Sequence, residues 1–160
     1  EKAYIVEIAP QIGIRETRRI RGEYVLTDDD ILGCRDFDDA IGVNGWPVEA
    51  HVSGDVEFVF ARAESRGFNQ IPYRIIVPQR VENLLVAGRC ASMSHEGQSS
   101  ARVSGSCFVM GQAAGTAADL ALGAKVAPRR IDPRKLQARL EADGAFLGSN
   151  AAAPGAAQRR

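Results

Sequence analysis

The chain has 160 residues, of which 45% are hydrophobic and 25% are charged, and its formal net charge is zero. This length allows one domain with a substantial core, and the balanced charge gives no reason to expect nucleic acid or an anionic membrane surface as a partner. The three cysteines, Cys34, Cys90 and Cys107, have neither CxxC nor metal-ligand spacing, which argues against a disulfide framework and predicts no metal site.

Short extended segments dominate the prediction for the first half of the chain. Alternation and β-propensity predict strands at four places: residues 3–9, 23–26, 46–51 and 56–61. Residues 71–78 are predicted to be extended as well, because a proline stands near each end. A short helix is predicted to follow Thr27, which can cap it, with aspartates in its first turn. Asn44-Gly45 and residues 53–55 predict turns.

Basic residues are dense after the first predicted strand, where Arg15, Arg18 and Arg19 stand among short apolar positions. One interpretation is a solvated surface in which glutamates pair with these arginines. The other is that one or two of them point inward at a carboxylate or a pyrophosphate, because a guanidinium binds two oxygens at once. The sequence leaves both interpretations open.

Residues 83–122 form the stretch around which the rest of the chain is organised. The apolar run at residues 84–87 predicts a strand buried on both faces, and Gly88 ends it. A polar loop of small residues is predicted to follow up to about residue 101. Residues 103–122 then predict one Ala-rich helix, about 30 Å long. A strand, a small-residue loop and a helix N-terminus together can hold an anion or a dinucleotide.

The predicted long helix contains glycines in its interior, at Gly111 and Gly115. A glycine in a helix interior costs up to about 1 kcal/mol relative to alanine, so Gly111 and Gly115 need a compensating reason. We expect a strand, another backbone or a flat ligand to lie against their side. The alternative is a tightly packed buried helix with no ligand. A membrane span is not predicted, because Gln112 and Asp119 interrupt the apolar run.

After the long helix, Gly123 is predicted to occupy the C′ position. A last helix is predicted to begin at Asp132-Pro133 and to stop at Gly144. This gives a strand-rich region over residues 1–82 and a strand, loop and helix segment over residues 83–147. Residues 148–160 are predicted to form a disordered tail, because their composition cannot build a core. No leader pattern is visible, and a cytoplasmic location is predicted.

Three blocks of the sequence together resemble a known family. They are GIRETRRIRGEYVLTDDDI, IPYRIIVP and NLLVAGRCASMSHEGQSSARVSGSCFVMGQAAGTAADLA. In this order they are similar to the C-terminal portion of FAD-dependent oxidoreductases with a glutathione-reductase-like FAD-binding fold. The resemblance covers roughly residues 3–147. It implies an α/β fold, in which an incomplete Rossmann-like domain (its final strand and long helix) joins a mainly β substrate-side region.

The resemblance also implies FAD as the cofactor and names the residues near it. Gly88 and Arg89 are expected beside the ribityl and pyrophosphate portion, and the backbone amides of Gly105 and Ser106 at the pyrimidine edge of the ring. A helix start fits there because reduced flavin carries negative charge near N1 and O2. The full set of expected cofactor-binding residues is Gly88, Arg89, Gly105, Ser106, Gly111 and Gly115.

Catalytic residues follow from the chemistry that the resemblance implies. Flavin enzymes move a hydride to the flavin and often a proton to a base. His95, in the loop over the expected flavin position, is the first candidate base, and Tyr73 is a second. Arg102 either reinforces the charge at the helix start, orients a substrate, or pairs with Glu96 on the surface. Weaker candidates on the substrate side are Arg15 and His51.

One departure from the family pattern limits what these residues are expected to do alone. The sequence contains no GxGxxG, the motif that binds the ADP half of FAD. We therefore expect an N-terminal FAD-binding portion or a partner chain to complete an enzyme that transfers a hydride from a small organic substrate to FAD. Two other functions remain open: a non-catalytic partner subunit, and a nucleotide-binding module without flavin chemistry.

Overall fold

The computed structural model describes residues 3–52 and 54–148, without the side chains of His51 and Val52. The predicted tail from residue 149 onward, and Ser53 of a predicted turn, lie outside the described residues. The helices are α1 (Asp28–Leu32), α2 (His95–Ala101), α3 (Ser104–Ala124) and α4 (Pro133–Ala142). The strands are β1 (Ala40–Asn44), β2 (Val48–Val52), β3 (Asp55–Val59) and β4 (Asn69–Pro72), and 3₁₀ turns form at Tyr73–Ile76 and Pro128–Arg130.

The strands form two small antiparallel sheets. β1 pairs with β4, so that Asn44 lies opposite Asn69, and the register shifts near Gly42. β2 and β3 form a hairpin in which Val48 lies opposite Val59. Two small sheets together with the four helices confirm the mixed α/β class expected from the sequence.

The core forms where α3 packs against β1 and α4 packs against α3. One face of α3 is buried through residues three or four positions apart: Met110, Ala113, Ala117 and Ala121. The side chain of Val109 reaches β1 so closely that a Cβ on Gly42 would lie 2.4 Å from its Cγ1. Leu136 and Leu140 of α4 complete the same cluster. The two predicted regions, 1–82 and 83–147, therefore contribute to one hydrophobic core.

Several extended segments are joined by single bridges rather than by strands. Residues 20–26 run beside residues 90–94, where Leu26 forms a parallel bridge with Met93. The N–H of Leu26 donates to the carbonyl of Ser92 at 3.1 Å, and Leu26 is fully buried. The predicted strand at 23–26 is thus not a regular strand: it pairs at isolated points, and within it Leu26 is buried while Val25 is exposed.

Two other predicted strands are wrong for the described residues. Residues 3–9 form no strand, and their apolar side chains are exposed, Val6 to 86%. Residues 84–87 are extended but are not a strand, with one backbone hydrogen bond from Val86 N–H to Ile76 O at 2.9 Å. Strand propensity measures how well side chains pack on neighbouring strands. Neither segment has such a neighbour among the described residues.

Helical structure also appears where the sequence predicted none. Residues 73–76 form a 3₁₀ turn, which the two prolines allow because Pro72 precedes its first residue and Pro78 lies beyond its end. α2 lies inside the predicted loop, and Ser94 caps it by accepting from the N–H of Gly97 at 2.9 Å. A Cβ at Gly97 would lie 2.3 Å from the carbonyl oxygen of Leu26, so this close contact requires glycine.

Capping signals predicted the starts of α1 and α4 correctly. Thr27 and Asp30 form a reciprocal capping box at α1. Asp132 caps α4 by accepting from the N–H of Arg134 at 2.9 Å. The prediction that Gly123 occupies C′ is wrong, since α3 continues to Ala124 and Lys125 takes the left-handed conformation.

A leucine pair tests this packing. Leu140→Ala should lower the free energy of unfolding by about 2–5 kcal/mol, because Leu140 is fully buried and its loss leaves a cavity. Leu122→Ala is the matched control in α3, where the side chain is 79% exposed, and should change stability by no more than about 0.5 kcal/mol. Urea unfolding followed by circular dichroism measures both. Similar losses for the two variants would contradict the described core.

Candidate functional site

The N-terminus of α3 is open and carries no side-chain cap. Val103 occupies the N-cap position, and its carbonyl accepts the first intrahelical bond, from Cys107 N–H at 3.0 Å. The amides of the first turn therefore have no partner within the helix. Ser104 and Gly105 are exposed, and a Cβ on Gly105 would meet no described atom within 4 Å. This end presents N–H groups and the positive end of the helix dipole to solvent.

A buried polar network fixes the position of this helix end. Ser106 Oγ donates to Asn44 Oδ1 at 2.9 Å, and Asn44 is 2% exposed. The Asn44 Nδ2 group donates to Ser100 Oγ at 2.8 Å and to Asn69 Oδ1 at 3.2 Å. The network ties the first turn of α3 to β1, to β4 and to α2. The Ser106 side chain thus points into the core.

The loop that starts at Gly88 packs beside the same end of α3. Gly88 has a φ of +84°, and a Cβ there would lie 3.9 Å from Cys107 Sγ. The carbonyl of Arg89 accepts a bond from Gln98 Nε2 at 2.7 Å, while its guanidinium donates to the carbonyl of Ile14. The structure therefore brings Gly88 and Arg89 next to the start of α3.

Cys107 is a packing residue in this arrangement. Burial raises the pKa of its thiol, the neighbouring Cys90 raises it further, and Arg89 opposes the change. The Sγ–H group donates to the carbonyl of Arg102 at 3.2 Å. A thiol with a raised pKa stays protonated at neutral pH and is a poor nucleophile.

His95 begins α2 and contacts a carboxylate that sequence reasoning missed. Its Nδ1 lies 3.0 Å from Glu16 Oε1, and its imidazole is 71% exposed. Arg19 bonds to the same carboxylate oxygen. Burial acts to raise the pKa of Glu16, but the hydrogen bond and charge of His95 and the nearby Arg19 outweigh it, so this pKa is lowered. Nδ1 of His95 faces Glu16, and Nε2 has no hydrogen-bond partner among the described residues.

Arg102 pairs with Glu49. Its guanidinium, 12% exposed, lies 4.0 Å from Glu49 Oε2, so the alternative in which Arg102 pairs with Glu96 is not the one that the structure shows. Arg15 approaches the same carboxylate at 3.8 Å. The glutamate contacts of Arg15 and of Arg19 support the first interpretation of the basic cluster, in which these arginines pair with glutamates.

Other candidate residues lie away from this surface. Tyr73 is 4% exposed and donates its hydroxyl to the carbonyl of Pro128, beyond the far end of α3, at 3.0 Å. Burial raises the pKa of Tyr73 well above its usual range. Gly111 and Gly115 are exposed and lie about 9 and 15 Å along the axis from Gly105. The side chain of His51 lies outside the described part of the chain.

The exposed side of α3 differs from the expectation of close packing. A Cβ at Gly111 or Gly115 would meet no described atom within 4 Å. α3 is therefore buried along one face only, and neither a strand nor another backbone of the described chain covers its glycine side.

Residues 3–52 and 54–148 contain neither a metal-binding cluster nor a membrane-spanning helix. No three His, Cys, Asp or Glu side chains of this part converge in a way that could hold a metal ion. None of its helices combines the length and apolar character needed to cross a bilayer.

Comparison with known proteins identifies a family for most of the chain. A family model described as FAD dependent oxidoreductase matches residues 1–140. Comparison with curated proteins and with solved structures gives no match.

The contact between Glu16 and His95 predicts a pH-dependent stability. Because the pKa of Glu16 is lowered from 4.5 in the folded chain, its stabilising contribution is present above pH 4.5 and is lost as the pH falls through the folded value. Wild type should therefore exceed Glu16→Gln in unfolding free energy near neutral pH, and the difference should shrink in acid. Urea unfolding across this pH range measures it.

A double-mutant cycle provides the control. If the carboxylate acts through the imidazole, adding Glu16→Gln to His95→Asn should cost less than Glu16→Gln costs alone. Equal costs in both backgrounds, or a difference that does not change with pH, would contradict the described contact.

Proposed function

Because the chain belongs to the family of FAD dependent oxidoreductases, we propose that the open start of α3 holds the flavin ring of FAD. The protein is then the flavin- and substrate-binding part of an enzyme that oxidises a small organic molecule. The observation that carries this proposal is the uncapped first turn of α3, where Val103 offers no side-chain oxygen and Gly105 no side chain.

The residues present fit the electron-rich edge of such a ring. First-turn amides stabilise negative charge by about 0.3–1 kcal/mol when exposed, and by up to about 2 kcal/mol when partly buried. No side-chain cap competes for them, and the absence of a Cβ at Gly105 leaves room for a flat group. Ser106 contributes only its backbone, since its hydroxyl is bonded to Asn44.

Two further regions are proposed to hold the rest of the cofactor. The left-handed turn at Gly88 and the exposed Arg89 suit the ribityl and pyrophosphate portion, since a guanidinium binds phosphate oxygens well. Gly111 and Gly115 leave the side of α3 open for the cofactor or for the segment that binds it.

The ADP half of FAD is proposed to be bound by a nucleotide-binding segment outside these 160 residues. The sequence lacks GxGxxG, and residues 84–87 are extended with a single backbone partner in the described chain. An extended apolar segment with unpaired N–H and C=O groups is suited to join a neighbouring strand. Such a strand could come from the same polypeptide or from a partner.

Bound FAD supplies the chemistry of hydride acceptance, and the chain supplies proton handling and position. We propose His95 as the base, with Nε2 receiving a proton from the substrate while Glu16 holds the other ring nitrogen. Arg102 is a positioning residue, because its mostly buried guanidinium is paired with Glu49 at the α2–α3 junction.

Two glycines of the same helix test the flavin position. In the chain assembled with its nucleotide-binding portion, Gly105→Val should abolish flavin retention, because the new side chain occupies the space at the ring edge. Gly123→Val is the control: it lies near the other end of α3 and also has open space around it. Visible absorbance of the purified protein measures bound flavin. Loss of flavin in both variants, or in neither, would refute the assignment.

The proposed base is tested separately from cofactor binding. His95→Asn should slow flavin reduction by small alcohols and amines by about 10²–10⁴-fold, with flavin content unchanged. Glu16→Gln should give a smaller loss and an altered pH profile, since it acts through the imidazole. Stopped-flow bleaching of the flavin measures the rate. A His95→Asn enzyme with the wild-type rate and pH profile would remove His95 from the mechanism.

A further inference from the structure

A cavity of about 360 Å³ lies between the β1–β2 connection, α1 and the loop that follows β3. Its volume falls within the range of about 300–1,000 Å³ that is usual for small-ligand pockets. The residues that matter for its chemistry are Ile31, Asn44, Trp46, Phe60, Arg62 and Phe68.

Arg62 gives the cavity its charge. It is the sole charged residue among the described residues that line the cavity, and no described carboxylate lies within ion-pair distance of it. Arg66 on the same loop is different, since it pairs with Asp36 at 2.6 Å and bonds to the carbonyl of Cys34. Asp29 and Glu64 each line an adjoining cavity with Arg62, and neither forms an ion pair with it. An unpaired guanidinium beside a neutral wall favours an anionic ligand.

Aromatic rings supply the apolar part of the wall. Trp46 is 45% exposed and Phe60 69% exposed. Phe58 on β3 meets the Trp46 ring edge-on, with centroids 6.5 Å apart. Exposed aromatic faces grouped around a cavity favour a flat apolar group that would cover them.

The floor of the cavity is neutral and connects to the start of α3. Asn44 and Asn69 both line it, and their side chains are already bonded to each other. Asn44 also accepts the hydrogen bond from Ser106. A ligand on this floor would therefore rest on the network that holds the first turn of α3.

We propose that this cavity binds a small monocarboxylate with an aromatic or similarly flat apolar body. The carboxylate lies on Arg62, and the flat body lies against Trp46 and Phe60. The inference that this acid is the molecule oxidised rests on the proposed function. The inference that the cavity binds the acid does not.

Trp46 makes the binding measurable, because it is the single tryptophan of the chain. Phenylacetate should cause a saturable change in tryptophan fluorescence, and the uncharged phenylacetamide should bind at least about tenfold more weakly. Arg62→Gln should weaken phenylacetate binding by a similar factor. Arg134→Gln, which removes an exposed arginine on α4 away from the cavity, should leave it unchanged.

A second variant covers the case in which Arg62→Gln fails to fold. Ala63→Asp adds a carboxylate at the exposed cavity rim and should reduce phenylacetate binding more than phenylacetamide binding. The absence of a saturable change in wild type would overturn the proposal. So would equal affinity for the acid and the amide, or loss of binding in Arg134→Gln as great as in Arg62→Gln.

The flavin assignment can fail independently of this cavity. Gly105→Val should still bind phenylacetate with wild-type affinity, since Gly105 does not line the cavity. Normal phenylacetate binding in a protein that never retains flavin would refute the proposed function and support the cavity. A protein that retains flavin but does not bind phenylacetate would refute the cavity proposal and support the proposed function.

Discussion

The buried side-chain amide of Asn44 is the interaction on which the arrangement of the site depends. It bonds to Ser106, Ser100 and Asn69, and these contacts join α3, α2 and β4 at one point. Burying an amide is favourable only when its donors and acceptors are satisfied, and each unsatisfied group costs about 1–3 kcal/mol. The network therefore specifies where α3 begins relative to the sheet, beyond what apolar packing alone would specify. It also leaves the backbone amides at that end facing outward.

The two sides of α3 use small residues for different purposes. On the buried side, alanines and Met110 let the helix approach β1 closely, as the tight contact between Val109 and Gly42 shows. On the other side, Gly111 and Gly115 meet no described atom, although glycine costs up to about 1 kcal/mol in a helix interior. Close packing inside the described chain does not compensate that cost. We propose that a group brought against the open side, such as a cofactor or a neighbouring strand, compensates it.

The sequence predicted the elements whose signals are local and missed those that depend on distant contacts. Capping residues identified α1 and α4, and an Ala-rich, nearly uncharged run identified α3. α2 has no apolar period, and Ser99 and Ser100 hold it through bonds to Glu49 and Asn44 of the sheets. The glycines of the candidate site were predicted, because they lie in the sequence block that resembles the family. Its polar partners were missed, since Glu16 meets His95 across 79 residues and Asn44 meets Ser106 across 62.

Charge at the candidate site divides into a part that titrates and a part that does not. Arg102 and Arg15 share the carboxylate of Glu49, and Arg19 pairs with Glu16, so two carboxylates offset two of these three positive charges. The attraction that the start of α3 exerts on an anion therefore comes from its backbone amides together with the remaining arginine charge, and Arg89 lies nearby. Backbone amides do not change charge with pH, whereas the carboxyl group of Glu16, which contacts His95, does. Under the proposed function, cofactor retention and proton transfer therefore respond to pH separately, because different groups are proposed to perform them.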